Sequence, residues 1–496
     1  NNLGLSGSVD YYLNDQSVIG IGGRLNKRTS KRIASSQTLI SNTTGTNRLI
    51  SENSYDSERG DFNFNPYYEF KSESNKLLID FNYINFDSQS MNTLSDAEGN
   101  TVPFVNRRYI QEGLYTIKTY RLDYTKTISN KLSWSLGTRF ADVNTDNDQQ
   151  SFSEIDGDVF SVNENESSQF LIKESIFALY SKINASVGKW SFSGGLRYED
   201  SNTDGKSLFL EEGVLNTTVK KRPIKKMFPS ATVSRELSDV LGASVSYSYR
   251  IRRPSYGNLN SFSEFLDPYS SNEGNPNLAP SYTNKFRFNL TYEEQPFFGI
   301  GYSATEDAIF ELVDQDILTA EIRRRQINVE NNSNWNFRLF GPLNFIKGVE
   351  GYTGFIIINN NYTSTNYSID LDKWSLIWFT QASYELPFGV NFEMSGNYGT
   401  GALEEGVDVD WFADLEVSFG KTFLNDQLKV NLGLSKIFNR GFIGVIDYGN
   451  VNVNVESNES RQNIQLRLAY SFGSKFGKKK KERTTSQEED RLIDEN

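Results

Sequence analysis

Side chains along most of this chain alternate between apolar and polar at every second residue. In Leu428–Ser435, each even-numbered position is aliphatic and each odd-numbered position is polar or glycine. A period of two places the apolar side chains on one face of a β-strand, whereas an amphipathic helix needs a period near 3.6. The alternation recurs at residues 132–140, 243–252, 411–420 and 464–472. The sequence therefore predicts an all-β protein whose strands are apolar on one face.

The composition limits the chemistry that such strands can carry. The 496 residues include no Cys and no His, which excludes disulfides, zinc fingers, iron–sulfur clusters and catalytic groups built on His or Cys. Aromatic residues reach 14% although the mean hydropathy is -0.54. Disordered chains lack this aromatic content. The longest apolar run is about five residues, against the ~18 of a spanning helix. A soluble β protein and a transmembrane β-barrel remain.

The spacing of turns favours the barrel. Short turn signals recur at intervals of roughly 40 to 60 residues, and polar stretches, including residues 42–47, 96–101, 142–150 and 399–406, lie between them. Short turns that alternate with long polar loops are typical of outer-membrane barrels, and a sandwich does not require them. The nine turn signals lie at residues 14–16, 73–75, 129–131, 188–189, 238–239, 294–296, 347–348, 387–389 and 425–427.

These turns predict a transmembrane antiparallel β-barrel with about 19 visible strands in residues 1–473, followed by a charged, flexible periplasmic tail at residues 474–496. Aromatic residues beside the short turns, such as Tyr384 and Phe423, predict a girdle at the membrane interface. The first strand runs into a short turn, so residue 1 is expected on the outer side and the C-terminus in the periplasm. Because bacterial barrels have an even strand count, we expect an odd number of strands to precede Asn1.

Three acidic clusters and a group of glycines near residue 20 are expected to have structural roles and no ligand. The clusters are expected to be solvated loops without a bound metal, since none has the form of an EF-hand. Gly20, Gly22 and Gly23 lie in an alternating strand and are expected to relieve crowding in the wall. The net charge of -12 argues against nucleic acid as a partner. The three acidic clusters are Asp142, Asp146 and Asp148; Glu154, Asp156 and Asp158; and Glu404, Glu405, Asp408 and Asp410.

Two linked motifs carry a resemblance. A strand ends in an Arg-x-x-Arg-Pro-x-Tyr-like segment, and a Gly-Asn-Pro-x-Leu-x-Pro segment follows about 20 residues later. In this arrangement the chain resembles the barrel of TonB-dependent receptors, and in particular the outer-membrane β-barrel family common in Bacteroidota. Ser281 occupies a position that is often acidic in that family. The motif positions are Arg250, Arg252, Arg253, Pro254, Tyr256, Leu259, Asn260, Gly274, Asn275, Pro276, Leu278 and Pro280.

The loop around Gly274 and Asn275 is expected to be shaped by residues that tolerate positive φ, with Pro276 and Pro280 ending strand pairing. Arg250 and Arg252 share the polar face of their strand and are expected to point into the lumen. Pairing with lumen carboxylates or with a plug is favoured over contact with a ligand.

The resemblance implies a barrel of about 22 strands around a plug domain that is not visible in this chain. It implies a TonB-dependent transporter in the outer membrane of a Gram-negative bacterium that imports a siderophore, oligosaccharide or peptide. The implied partners are outer-membrane lipid and lipopolysaccharide, a TonB-type energy-coupling protein and a surface lipoprotein. The alternative is a receptor-like barrel that acts as a structural or assembly subunit. No cofactor and no enzymatic activity are expected.

Overall fold

The computed structural model describes residues 2–42, 45–98, 105–156, 159–211, 213–260, 262–267, 269–316, 321–425, 427–438, 442–449, 451–457, 462–471 and 491. These residues form 25 β-strands and two short 3-10 turns, at Gly257–Leu259 and Pro387–Gly389. Among them, no helix has the length and apolar character needed to span a membrane. The strands are β1 Asn2–Asn14, β2 Ser17–Asn42, β3 Gly45–Lys71, β4 Asn75–Glu98, β5 Val105–Ser129, β6 Leu132–Asp156, β7 Val159–Val187, β8 Trp190–Glu211, β9 Val214–Glu236, β10 Leu241–Arg252, β11 Ser263–Asp267, β12 Ser270–Glu273, β13 Ser281–Tyr292, β14 Gln295–Gln315, β15 Ile322–Pro342, β16 Val349–Ser364, β17 Ile369–Leu386, β18 Val390–Gly399, β19 Ala402–Glu404, β20 Val407–Val409, β21 Phe412–Phe423, β22 Leu428–Ser435, β23 Phe442–Tyr448, β24 Val451–Ser457 and β25 Asn463–Tyr470.

One sheet of 21 strands dominates the structure. Two of its members, β11 and β12, form a short hairpin, and the other 19 strands form a wall in which each strand pairs antiparallel with its neighbour in the order of the chain. The prediction of about 19 antiparallel strands is confirmed. In the described residues, β1 pairs only with β2 and β25 only with β22, so the wall is not closed.

Short connections join alternate pairs of wall strands at one end of the sheet, which we call the short-turn end. All nine turn signals lie at this end, although Asp426 is outside the described residues. At the turn between β17 and β18, Phe388 adopts a φ of 69° and Gly389 a φ of 68°. Positive φ at successive positions reverses the chain sharply, so two antiparallel strands can be joined by three residues.

Several stretches whose polar composition predicts long loops are strands. Residues 142–150 lie within β6 and pair with β7 along most of their length, for example Asp142 with Ser175 and Asp148 with Gln169. Strands β2 to β9 each contain 22 to 29 residues, whereas about 9 to 11 residues suffice to cross a bilayer. Beyond the bilayer both faces of a strand meet water, so polar composition no longer distinguishes a strand from a loop.

The other polar stretches have mixed outcomes. Residues 42–47 belong to the β2–β3 hairpin, with residues 43–44 outside the described part, and residues 96–98 end β4, with residues 99–104 outside it. Of the acidic clusters, Glu154 and Asp156 lie in β6, and Asp158 is not described. The described residues contain no group of acidic residues arranged to hold a metal ion.

A second, four-stranded sheet of β19, β20, β23 and β24 stands at the end opposite the short turns. It includes part of the stretch 399–406. Its residues Ile446 and Tyr448 pack against Phe310 and Val313 of β14, and the Tyr448 hydroxyl accepts from the Val313 backbone N–H at 2.9 Å. This apolar cluster attaches the small sheet to the extended part of the wall.

The outer face of the wall is apolar and exposed. Ile464, Leu466 and Leu468 of β25 are exposed, as the period-two pattern predicts for a face that meets lipid. The aromatic residues near the short turns, including Tyr384 and Phe423, are also exposed. A sheet that leaves these side chains uncovered is unsuited to water, because burial of apolar surface is the main driving force of folding.

Glycine in the wall accommodates tyrosine rings from the neighbouring strand. Gly20 lies directly opposite Tyr67, and Gly137 lies opposite Tyr180. A Cβ added at Gly20 would approach the Tyr67 ring to 2.1 Å, and one at Gly137 would approach the Tyr180 ring to 2.3 Å. These contacts support the interpretation of Gly20 as a residue that relieves crowding.

Gly137→Ala is expected to destabilise the wall by about 1–3 kcal/mol, because the Tyr180 ring must move and give up its hydrogen bond to Asp123. Urea titration in detergent, followed by the shift between folded and unfolded bands on a gel, measures the effect. Gly194→Ala in β8 is the matched control, since no atom lies within 4 Å of its added Cβ. Equal losses in both variants would show that strand propensity, rather than the ring contact, sets the effect.

Candidate functional site

The chain between β10 and β13 folds back against the inner face of the wall. This stretch, residues 253–280, is called the inner segment below. It contains the 3-10 turn Gly257–Leu259 and the β11–β12 hairpin, and β12 pairs in parallel with the start of β15. Its side chains contact strands on several sides, including β5, β7, β8, β9 and β15. A segment that reaches strands so far apart in the wall lies on the concave side, which we call the lumen.

Four apolar side chains bury the inner segment against the wall. Tyr256, Leu259, Phe262 and Leu278 join a cluster formed by inward-facing residues of β4 to β7. Tyr256 and Leu278 have no solvent exposure at all. The wall residues of the cluster are Ile84, Tyr115, Ile117, Val143, Phe170 and Ile172. The lumen at this level is therefore a packed core, and the inner segment is part of it.

An ion pair anchors the start of the inner segment to β8. Arg253 donates from Nη2 to Glu199 Oε2 at 2.8 Å and to the Ser201 hydroxyl at 3.1 Å. Arg197, on the same strand as Glu199, donates to the other carboxylate oxygen at 2.6 Å. The side chains of Glu199 and Arg253 are only 5% and 12% exposed. Two guanidinium groups thus neutralise one buried carboxylate.

A second carboxylate, Glu174 of β7, holds the tyrosine of the motif. Its side chain is 1% exposed and accepts hydrogen bonds from the Thr203 hydroxyl at 2.7 Å and from the Tyr256 hydroxyl at 2.8 Å. Arg491 donates from Nη1 to the same carboxylate at 2.5 Å and from Nε to the Pro254 carbonyl at 3.0 Å. Its guanidinium carbon also lies 3.9 Å from the centre of the Tyr256 ring. Both carboxylate oxygens of Glu174 therefore accept hydrogen bonds.

Arg491 is the single residue of the predicted tail that the structure describes, and it lies in the lumen rather than in bulk solvent. The extent and flexibility of the tail stay a prediction.

Main-chain contacts fix the second half of the motif. Arg222 of β9 donates to the carbonyls of Pro276 and Leu278, the latter at 3.0 Å. Asn275 donates from Nδ2 to the Gln326 carbonyl at 2.8 Å, and Asn328 exchanges hydrogen bonds with the backbone of Ala279 at 2.8 and 2.9 Å. Side chains from two sides of the wall therefore satisfy the irregular backbone of residues 275–279.

The reason for glycine at position 274 differs from the one expected. Neither Gly274 nor Asn275 has a positive φ. Instead, a Cβ at Gly274 would lie 2.2 Å from the Asn260 carbonyl oxygen, so only glycine allows the two stretches that flank the β11–β12 hairpin to approach each other. The Gly274 N–H donates to the Phe262 carbonyl at 3.0 Å across the same contact. The loop is therefore shaped by this close approach and not by a positive φ at Gly274 or Asn275.

Aromatic and charged side chains surround the tip of the hairpin. The Phe265 ring stacks on the ring of Tyr109 of β5 at a centroid distance of 5.9 Å. The guanidinium carbon of Arg107 lies 5.4 Å from the centre of the same Phe265 ring. Burial raises the pKa of Glu264, while the charge of Arg32 opposes that rise. The tip is thus held by ring contacts as well as by strand pairing.

The structure brings most of the predicted motif residues together, but it separates the arginines. Arg253 pairs with a lumen carboxylate, whereas Arg250 and Arg252 remain exposed on β10. Pro254 and Pro280 are buried, and Asn260 closes on Gly274. The sequence interpretation missed the partners Glu174 and Glu199. A signal was available in β7, where Glu174 interrupts the inward-facing apolar series Phe170, Ile172, Ile176 and Ala178.

A wall of 19 antiparallel strands, apolar outside, turned tightly at one end and filled inside by a folded segment, defines an outer-membrane β-barrel protein. The chain belongs to the outer membrane protein beta-barrel family, whose model matches residues 68–472. This membership locates the protein in the outer membrane. A search of curated protein sequences finds no match.

Solved receptor structures share the fold. The ferric yersiniabactin uptake receptor FyuA from Yersinia pestis aligns over 95% of this chain and 79% of its own, with 10% identity and a TM-score of 0.55. The ferric-catecholate import receptor Fiu from E. coli K12 aligns over 89% and 77%, with 9% identity and a TM-score of 0.53. The ferric preacinetobactin receptor BauA from Acinetobacter baumannii aligns over 95% and 78%, with 12% identity and a TM-score of 0.51. At these identities the likeness shows a common fold.

Proposed function

We propose that this chain is the wall of an outer-membrane receptor that imports a ligand through its lumen, with energy supplied by a TonB-type protein. The observation that carries the proposal is the way in which the inner segment is held. Ion pairs, hydrogen bonds and apolar packing fix it to the wall, and strand pairing is confined to the short β12–β15 contact. Such a segment can be displaced while the wall stays intact, as passage through the lumen requires.

The resemblance of the motif residues and the fold of the ferric-siderophore receptors support this function. Siderophores, oligosaccharides and peptides are the proposed ligand classes. The motif from Arg250 to Pro280 supports membership in the branch of the family common in Bacteroidota. Without His or Cys, the proposal includes no catalytic activity.

The unpaired edges of β1 and β25 support a barrel that about three further strands complete, which gives about 22 strands in all. The proposed barrel surrounds a plug domain. Because β25 runs towards the short-turn end, we place the C-terminus on the periplasmic side. Contacts with lipopolysaccharide, and with a lipoprotein at the end opposite the short turns, belong to the same proposal.

Uptake in cells tests this function. The gene is deleted and restored by a plasmid, and accumulation of labelled ferric siderophores, oligosaccharides and peptides is compared with and without the energy-coupling protein. We expect at least one ligand to require both proteins. If deletion of the energy-coupling protein alters the uptake of none of them, while loss of this chain disrupts a surface complex, the structural-subunit alternative is correct instead.

A further inference from the structure

Four cationic side chains lie on one face of neighbouring wall strands without an acidic partner. They are Arg250 of β10, Lys285 and Arg287 of β13, and Arg338 of β15. In the described part of the chain, none of these side chains makes an ion pair or a hydrogen bond. Some other arginines of the lumen are paired, as Arg253 is with Glu199 and Arg121 is with Asp80. The four residues are called the cationic patch below.

The strand register places the patch on the inner face. Arg287 lies opposite Ser246 of β10 and Gly301 of β14, and Lys285 lies opposite Ser248. Directly opposed residues of antiparallel strands point to the same face. The other face of these strands carries exposed apolar side chains such as Phe286 and Leu339. The patch therefore faces the lumen, and it lies closer to the short turns than the inner segment does.

Glycine provides the space for the arginine at one side of the patch. Arg338 lies opposite Gly299, and a Cβ at Gly299 would be 3.4 Å from its Nη2 and 3.5 Å from its Nε. The Nε of Arg338 is buried and has no hydrogen-bond partner. A buried donor left without an acceptor costs free energy, so an acidic group that reached this Nε would be stabilised there.

The charges of the patch act on one another. Lys285 experiences the charges of Arg287, Arg250 and Arg338, and Arg287 those of Arg338 and Arg250. Water screens part of this repulsion, because Arg250 and Arg287 are exposed, and a bound anion would reduce what remains. Ser246 and Ser248 on β10, with Asn289 on β13, add neutral donors on the same face. Rings of Lys and Arg select anions in other pores.

We propose that the cationic patch, in place of the plug pairing that the sequence favours for Arg250, binds a small anion that carries at least two carboxylate or phosphate groups on its way through the lumen. The passage of this anion through the lumen rests on the proposed import function. The inference adds that the ligand is negatively charged. Binding itself does not require transport. A binding measurement on the purified chain therefore fails or succeeds independently of the uptake experiment.

Isothermal titration of the purified chain in a non-ionic detergent tests the proposal with pyrophosphate and with propane-1,2,3-tricarboxylate. We expect one or both to bind more tightly than acetate or sucrose, and the tighter of the two identifies the preferred acid group. Arg287→Gln combined with Arg338→Gln should weaken binding at least about tenfold, because two charged donors are lost. Raising the salt concentration should also weaken binding.

Two further variants separate binding from folding. Arg287→Lys with Arg338→Lys keeps the charges and should retain most of the affinity. Arg121→Gln is the matched control, since Arg121 also faces the lumen but pairs with Asp80 at 2.6 Å; its loss should leave binding unchanged. The proposal is wrong if neither polyanion binds better than acetate, if the double Gln variant binds like the unmodified chain, or if Arg121→Gln weakens binding equally.

Discussion

Replacing Glu199 by alanine destabilises the folded chain by an expected 3–5 kcal/mol or so, the range typical of a buried ion pair that loses one member. Glu199 is 5% exposed and neutralises both Arg253 and Arg197. Without it, two guanidinium groups remain in a poorly solvated site, and Arg253 keeps only its bond to Ser201. Urea titration of the detergent-solubilised protein, read as the change in free energy of unfolding, measures the loss.

Controls for Glu199→Ala come from the same chain. Asp56→Ala removes an acid from an exposed pair with Lys31 and should leave the free energy of unfolding unchanged within error. In the double variant with Arg253→Ala, part of the loss should be recovered, because one of the uncompensated charges is also removed. Strictly additive effects of the two substitutions would contradict the proposed coupling between β8 and the inner segment.

Replacing Tyr256 by alanine is the second change with a large expected effect, a loss of about 3–5 kcal/mol. The ring is fully buried among Leu259, Leu278 and the wall residues of the lumen cluster, and its hydroxyl donates to Glu174. Alanine leaves a cavity and removes one of the donors to a buried carboxylate. The release of the inner segment should also increase amide hydrogen exchange between residues 257 and 279.

Tyr256→Phe separates the two contributions to that loss. It keeps the ring and deletes the hydroxyl, so we expect a smaller loss of about 1–3 kcal/mol and little change in exchange. If Tyr256→Ala leaves the amide protection of residues 257–279 as it is in the unmodified protein, the ring does not hold the segment in place. In that event other contacts, such as the ion pair of Arg253 and the hydrogen bonds from Arg222, would carry the attachment.

Much of the wall could be predicted from local patterns. The alternation at Leu428–Ser435 and the turn at Pro387–Gly389 each depend on a few adjacent residues, and both are found where they were expected. The interpretation of residues 142–150 as a loop is wrong because Asp142 and Asp148 pair with β7 above the bilayer, where water solvates both faces. A polar composition indicates that a stretch contacts water, but it does not indicate whether that stretch is a paired strand or a loop.

The motif residues illustrate a second limit. Gly274 was singled out correctly, but the sequence suggested backbone conformation as the reason, whereas the contact with Asn260 is the cause. Glu174 and Glu199 were not selected, because each lies more than 50 residues from the motif side chain that it binds. No local pattern links such positions. Their pairing arises only when β7, β8 and the inner segment share one lumen.

Local patterns are enough to predict the class of fold: a period of two, nine short turns and aromatic residues beside those turns indicate an antiparallel wall that is apolar on one side. These properties depend on neighbouring residues, so they can be read along the chain. Only the folded chain shows that the inner segment packs in the lumen and that Arg253 is neutralised while Arg250 is left without an acid. The physical reason is that burial and charge pairing depend on distances across the barrel, which the order of residues does not specify.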